Sequence, residues 1–153
     1  MTGSIICGVD GSADSQAALR VAAGLAERLG TRLLATHVIP PNYSSPMGLG
    51  GGTVPLLAAQ RGIDVDAAER LLEETLAASA LTEAQRIRTE ERVTAGFPAE
   101  RLADLADEEQ AELIVVGSRG RGAFRAAFLG SVSSDLVGIA RAPVVVVPHG
   151  WSA

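Results

Sequence analysis

The sequence predicts a doubly wound α/β domain, with an open sheet of five parallel strands and helices on both faces. Short runs of Val, Ile and Leu alternate with Ala-rich segments whose apolar residues recur at helical spacing, a pattern typical of a buried parallel sheet. The order βαβαβαβαβ favours parallel strands joined by right-handed crossovers. The chain has 153 residues, of which 47% are hydrophobic, so we expect a single domain over residues 1–153.

Each element has its own local signal. Apolar residues at Ala18, Val21, Ala22, Leu25 and Leu29 predict an amphipathic first helix, capped by Ser12 or Asp14. Pro98 suits the first turn of the third helix, and polar–apolar alternation predicts a third strand near the sheet edge. We expect strands at residues 4–9, 31–38, 86–94, 113–116 and 143–147, and helices at 14–29, 56–80, 98–109 and 131–141.

Residues 40–55 predict the one long irregular loop of the chain. Prolines lie at both of its ends, and it contains Gly48, Gly50, Gly51 and Gly52, which disfavour regular structure. The Gly48–Gly52 segment is therefore a candidate cover for a binding site.

Composition excludes several classes of function. A net charge of −5 and a pI near 5.0 argue against nucleic acid as a partner, because phosphate backbones require a basic surface. We expect no membrane span, since no apolar stretch approaches about 20 residues, and no signal peptide is apparent. The single cysteine, Cys7, fits a reducing compartment, so cytoplasmic localisation is expected. All thirteen basic residues are arginine, which excludes a Walker A loop and a Schiff-base lysine.

The most informative segment is residues 117–131, hereafter the glycine segment. Gly117 and Gly120 are separated by two residues, and nine more precede the pair Gly130-Ser131. Glycines after a strand let backbone amides approach a ligand closely, and a helix starting at Ser131 offers free amides and a favourable dipole to an anion. Three arginines add positive charge: Arg119, Arg121 and Arg125. The combination predicts a phosphate-binding site.

Asp10 is the second candidate. Ligands of doubly wound sheets bind beyond the carboxyl ends of the strands, where the winding reverses; with the first strand central, that crevice lies between the first and fourth strands. Asp10 ends the first strand and Gly117 ends the fourth. A carboxylate suits ribose hydroxyls and is repelled by phosphates, so we place Asp10 at the sugar. The structural alternative makes Asp10 a turn or cap residue.

The other candidates also have structural alternatives. The glycines could serve only turns and helix–sheet contacts, and the arginines could be solvated surface charges. Ser133, one helical turn inside, could donate to a phosphate or bond a backbone carbonyl. Phe124 and Phe128 are interpreted as anchors of the segment.

Metal and nucleophile chemistry have little support in the sequence. The two histidines, His37 and His149, form no cluster with metal-ligand spacing, although Mg²⁺ could arrive with the phosphates of a ligand. Cys7 lies in a predicted buried strand and is interpreted as a core residue. No Ser-His-Asp arrangement can be assembled, so no catalytic residue is assigned.

The chain resembles the universal stress protein family over essentially its whole length. The residues that carry the resemblance are Ile5 to Ser12, Gly96-Phe97-Pro98, Leu113 to Gly120, Gly130 to Ser133 and Ala142 to Val147. The spacing of Gly117, Gly120 and Gly130-Ser131 is similar to the ATP-binding signature of that family. Glu112 stands where the family usually has Asp, and the Gly48–Gly52 loop is this chain's own.

The resemblance implies a Rossmann-like, adenine nucleotide alpha hydrolase-like fold that binds ATP with Mg²⁺. It implies that Asp10 contacts the adenosine moiety and that the backbone at Val38 reads the adenine edge. Ribose and phosphates would be held by Gly117, Gly120, Gly130, Ser131, Val132 and Ser133. Arg119 is a further candidate ligand-binding residue, because of its charge within the glycine segment. It also implies a homodimer through strands at Val144–Val147, which would cover an apolar sheet edge.

The leading hypothesis is an ATP-binding regulatory protein that acts as a homodimeric switch on an unknown protein partner. The alternatives are a slow ATPase, a binding module for AMP or cyclic AMP, and a nucleotide-free interaction protein. Fast hydrolysis is disfavoured because no general base, lysine or metal clamp is visible. We expect Gly117→Glu to abolish binding without unfolding the domain.

Overall fold

A computed structural model describes residues 3–41, 54–120 and 129–152, and the side chains of these residues except 54–64. The predicted Gly48–Gly52 loop, Arg121, Phe124, Arg125 and Phe128 lie outside the described residues. The elements are β1 (Ser4–Gly8), α1 (Ala13–Leu29), β2 (Arg32–Ile39), α2 (Val54–Ala78), α3 (Glu83–Ile87), β3 (Thr89–Ala95), α4 (Pro98–Glu108), β4 (Leu113–Gly117), α5 (Ser131–Ile139) and β5 (Val144–Val147).

The five strands form one parallel sheet in the order β3-β2-β1-β4-β5, which confirms the predicted fold class. β1 is central, and the winding reverses there: the chain moves outward from β1 to β3 and then returns to β4 on the other side of β1. Ile5 of β1 pairs with Leu113 of β4. The crevice of the doubly wound fold therefore opens between β1 and β4, as predicted.

Two apolar layers hold the helices on opposite faces of the sheet. Alternate residues of β1 point to opposite faces: Cys7 packs with α1 and α2, whereas Ile6 packs with α4 and α5. On the first face α1 contributes mainly alanines, which let the helix approach the strands closely; on the second face the large contributions are Leu102, Leu105 and Leu136. The two layers fix the positions of the helices relative to β1 and β4, between which the crevice opens.

Caps fix where α1 begins and ends. The Ser12 hydroxyl accepts a hydrogen bond from the Ser15 amide at 3.1 Å, so Ser12, of the two predicted candidates, is the N-cap. Gly30 ends the helix with a φ of 66° and donates its amide to carbonyls of the last turn, a left-handed conformation that favours glycine. The start of α1 is thereby fixed at the carboxyl end of β1.

The predicted start of the third strand was wrong. Residues 86–94 were assigned to a strand, but β3 is Thr89–Ala95 and the short helix α3 precedes it. Thr82 and Gln85 form a capping box in which each side chain bonds the other's backbone amide, and this local motif starts a helix where alternation predicted a strand. α2 also begins two residues earlier than predicted, with Pro55 in its first turn, where a missing amide breaks no helical bond.

Candidate functional site

A cavity of about 840 Å³ opens at the carboxyl ends of β1, β2 and β4. Its volume lies within the range typical of small-molecule sites. All nine residues predicted from the sequence line it: Asp10, Val38, Gly117, Arg119, Gly120, Gly130, Ser131, Val132 and Ser133. The segment at Asp10 and the glycine segment, more than a hundred residues apart in the chain, therefore line the same cavity.

The Asp10 carboxylate has a structural contact and also faces the glycine segment. Its Oδ1 accepts hydrogen bonds from the Ser12 amide at 2.9 Å and the Ser12 hydroxyl at 2.5 Å, which is the turn expected of an Asp at this position. A Cβ added at Gly120 would lie 2.5 Å from Asp10 Oδ2. Ser12 therefore orients the Asp10 carboxylate through Oδ1, while Asp10 Oδ2 lies against the glycine segment at the cavity wall.

Gly117 is required by the packing of α1 onto β4. A Cβ at this position would lie 2.9 Å from the backbone carbon, the carbonyl oxygen and the Cβ of Asp14, closer than such contacts are found. The expectation that Gly117→Glu would spare the fold is therefore wrong: any side chain here forces the first turn of α1 away from the sheet.

Gly130 and Ser133 fasten the two ends of the glycine segment together. The Gly130 amide donates to the Ser118 carbonyl at 2.6 Å, and a Cβ at Gly130 would lie 3.3 Å from that oxygen. The buried Ser133 hydroxyl lies 3.2 Å from the Ser118 carbonyl and 3.0 Å from that of Gly130. Of the two roles predicted for the Ser133 hydroxyl, the structure therefore shows the contact with backbone carbonyls. The Ser133 amide belongs to the first turn of α5.

The N-terminus of α5 lines the cavity with unpaired helix amides. Gly130 is the N-cap and supplies no side-chain cap. The first helical hydrogen bond runs from the Ser134 amide to the Gly130 carbonyl at 3.0 Å, so the amides of Ser131, Val132 and Ser133 have no acceptor within the helix. Free amides together with the positive end of the helix dipole make this terminus suitable for an anion.

The rest of the described cavity lining comes chiefly from β2 and from the helices α2 and α4. Val38 is buried at the end of β2, with the partly exposed His37 beside it. Sequence reasoning did not find the remaining contributors, because their side chains reach the cavity only through tertiary packing; they include Thr36, Pro40, Leu71, Pro98 and Leu102. These residues make this part of the cavity largely apolar, as a base or other flat ring requires.

Charge at the site comes from Asp10 and Arg119 among the described cavity residues. The same described part of the chain holds no group of three or more His, Cys, Asp or Glu side chains placed to bind a metal ion.

Two other sequence candidates lie away from the cavity. Cys7 is fully buried in β1, and burial raises the pKa of its thiol, as expected for a core residue without nucleophilic character. His149 follows β5 and its Nδ1 lies 2.7 Å from Asp14 Oδ1. This contact joins the segment after β5 to the first turn of α1.

Comparison with known proteins identifies the family. Residues 1–148 match the sequence model of the family described as "Universal stress protein family". The chain belongs to the universal stress protein family. A universal stress protein of Thermus aquaticus is 33% identical over 94% of this chain and 97% of its own length. One from Mycolicibacterium smegmatis is 34% identical over 95% of this chain. The chain spans about half the length of the mycobacterial relatives, 48% for the protein of Mycolicibacterium smegmatis.

Solved structures of universal stress proteins share the fold. UspA from Lactobacillus plantarum is 25% identical, with a TM-score of 0.76 over 95% of this chain and 97% of its own. A universal stress protein crystallised in complex with cAMP is also 25% identical, with a TM-score of 0.63 over 95% of this chain and 96% of its own. The sheet and its crevice are thus shared with proteins of this family.

No helix in the described residues is both long enough and apolar enough to cross a membrane.

Proposed function

We propose that this universal stress protein binds an adenine nucleotide, ATP with Mg²⁺ in the first instance, and acts as a nucleotide-dependent regulatory protein. The observation that carries the proposal is the meeting of Asp10, the glycine segment and the uncapped α5 terminus on one cavity. A carboxylate suited to sugar hydroxyls and an anion-binding helix terminus on one largely apolar cavity suit a nucleotide better than any single-charge ligand.

In the proposed complex the phosphates bind the amides of Ser131 and Val132 at the start of α5, with Arg119 beside them. The Asp10 carboxylate accepts hydrogen bonds from the ribose hydroxyls. The base occupies the apolar end near Val38, whose backbone reads its edge. In this arrangement Asp10 meets hydroxyl donors and not the phosphates, which its charge would repel.

The regulatory part of the proposal rests on where the site lies. Its two halves come from the segment after β1 and from the glycine segment, which joins β4 to α5. A nucleotide that binds one arrangement of this segment more tightly than another shifts its population, and so changes the surface offered to a protein partner. The Val144–Val147 edge is proposed to pair with a second copy of the chain.

A thermal unfolding experiment tests nucleotide binding. Mg-ATP at about 100 times its dissociation constant adds about 2.7 kcal/mol to the free energy of unfolding, a rise in Tm of roughly 5–10 °C for a domain of this size. GTP at the same concentration is the ligand control. No rise with protein freed of co-purified nucleotide by refolding would contradict the proposal.

A pair of serine variants tests whether phosphates bind at the α5 terminus. Ser131→Glu places a carboxylate in the first turn, where the helix dipole stabilises it, but where it repels phosphates. We expect the fold to persist and ATP affinity to fall at least 10-fold. Ser134→Glu, one turn further on and exposed, is the matched control and should bind ATP nearly as the wild type does. Equal affinities in the two variants would contradict the phosphate assignment.

Cyclic AMP is the second candidate ligand, because a structure of similar fold was determined in complex with cAMP. Competition between ATP and cAMP for the protein separates the two, since a triphosphate engages the α5 terminus more extensively than a single cyclic phosphate. If Ser131→Glu weakened the binding of ATP and of cAMP by the same factor, the additional phosphates of ATP would make no contacts with the α5 terminus.

A further inference from the structure

His37 lines the cavity beside Val38 and has no role in the binding scheme above. It lies near the end of β2, on the side of the cavity proposed for the base. Its ring is partly exposed, and its Nδ1 lies 2.7 Å from the Val9 carbonyl oxygen. The ring therefore bridges the ends of β1 and β2 at the point where the sheet opens into the cavity.

The hydrogen bond to Val9 fixes which nitrogen of the neutral ring carries the proton. A carbonyl oxygen can only accept, so Nδ1 must donate its hydrogen. The neutral imidazole then has its lone pair on Nε2, at the other edge of the ring, as an acceptor. The same bond holds the ring in place, because the Val9 amide is itself bonded to the Thr36 carbonyl at 2.8 Å.

A fixed acceptor distinguishes adenine from guanine. Adenine carries an amine donor at the position where guanine carries a carbonyl acceptor, so an Nε2 lone pair attracts the first and repels the second. Two other described polar side chains of the cavity already have partners: Ser15 donates to the Ser12 carbonyl, and the Ser133 hydroxyl lies at two carbonyls. Asp10 is oriented at the sugar end by Ser12.

We propose that His37 Nε2 accepts a hydrogen bond from the exocyclic amine of the bound base, and that this contact makes the site select adenine over guanine. The inference rests on the proposed nucleotide site and names a specificity residue within it. It adds a side-chain contact to the backbone at Val38, and the two hydrogens of the amine allow both.

A cycle that changes both ligand and protein measures this contact. The ligands are ATP and purine riboside triphosphate, which lacks only the amine; the protein variants are wild type and His37→Asn. Asn keeps a side-chain amide that can donate to the Val9 carbonyl in place of Nδ1, but has no atom at the Nε2 position. Calorimetric dissociation constants are compared for the four pairs.

We expect the wild type to bind ATP about 3- to 10-fold more tightly than purine riboside triphosphate, the range for one hydrogen bond. In His37→Asn this ratio should fall to about one, and GTP should compete better than it does with the wild type. His149→Asn changes the chain's other histidine, which is outside the cavity, and should keep the wild-type ratio. An unchanged ratio in His37→Asn would overturn the inference while leaving nucleotide binding intact.

A measurement on the wild type covers the case in which His37→Asn fails to fold. ¹⁵N spectra of the histidine side chains should show the hydrogen of His37 on Nδ1, with the Nε2 resonance moving when ATP is added. A hydrogen on Nε2, or an Nε2 resonance that ATP leaves unmoved, would overturn the inference. Absence of any ATP binding by the wild type would instead remove the proposed function and the inference with it.

Discussion

At the scale of single residues, Asp10 combines two contacts that a conservative substitution can separate. Its Oδ1 holds the turn before α1 through Ser12, and its Oδ2 lies toward Gly120. An amide in place of the carboxylate keeps one acceptor for the turn and removes the charge that the ribose hydroxyls would meet.

We therefore expect Asp10→Asn to retain its thermal stability but to bind ATP roughly 10- to 100-fold more weakly, the effect of losing a charged hydrogen-bond acceptor. Calorimetric titration measures the affinity. Ser12→Ala is the complementary variant: loss of the N-cap should cost about 1 kcal/mol of stability. An Asp10→Asn protein that loses stability and keeps its affinity would reverse the two assignments.

A second prediction at this scale concerns Gly117. Glycine is required there because a side chain would have no room against α1, and not because of the backbone conformation. Gly117→Ala puts a Cβ 2.9 Å from the Asp14 backbone, so we expect it to lower the free energy of unfolding by about 1–3 kcal/mol in urea without nucleotide. Gly24→Ala, inside α1 with no atom near the new Cβ, should instead raise it by about 0.5–1 kcal/mol. Equal effects of the two substitutions would contradict the packing argument.

At the scale of elements, the contact between α2 and β3 brings like charges together. Desolvation, and then the charge of Glu73 on α2, raise the pKa of Glu91 on β3; Glu69 acts in the same sense and Arg86 opposes them. A carboxyl group whose pKa is raised by folding destabilises the native state once the pH exceeds its unfolded pKa.

Glu91→Gln should therefore stabilise the protein at pH 7 by less than about 1 kcal/mol, because the group is largely exposed, and the gain should vanish below pH 4. Urea unfolding at the two pH values measures it. Glu90→Gln is the neighbouring control: Glu90 forms ion pairs with Arg32 and Arg92, so it should show no gain at pH 7. A gain for Glu91→Gln that persisted in acid would exclude the electrostatic cause.

Element types were predictable where the signal was local and strong. The apolar runs of β1 and β4, the cap at Ser12 and the position of Asp10 at a strand end could all be read from neighbouring residues. The capping box at Thr82 is equally local, but alternation in the next residues obscured it. The contact of Leu71 with the cavity and the approach of Asp14 to Gly117 could not be predicted, because both depend on how helices pack across the sheet.

At the scale of the whole molecule, β5 is the last strand at one edge of the sheet. The carbonyls of Pro143 and Val147 accept hydrogen bonds from the amides of Ile114 and Ser118, so alternate residues of this strand face β4. By the two-residue period of a strand, Val145 also faces β4, whereas the backbone groups of Val144 and Val146 face outward.

This geometry gives a test of the proposed homodimer. Val146→Pro removes an outward amide and leaves the β4–β5 hydrogen bonds in place, as proline is tolerated at sheet edges. We expect it to keep the fold and shift the protein toward monomer, as measured by sedimentation. Val145→Pro removes an inward amide and should destabilise the domain itself. A wild-type protein that sediments as a monomer would exclude the dimer, as would a Val146→Pro protein that still dimerises.

The strand order has a consequence for how the protein is made. β1 is synthesised first and lies at the centre of the sheet, yet one of its two neighbours, β4, begins at Leu113. While the chain is being translated, that side of β1 has no strand of its own sheet to pair with until β2, β3 and β4 have all left the ribosome. Contacts so distant in sequence slow folding and prolong exposure of apolar strands. A growing chain of this design depends on its fourth strand to protect one side of its first strand.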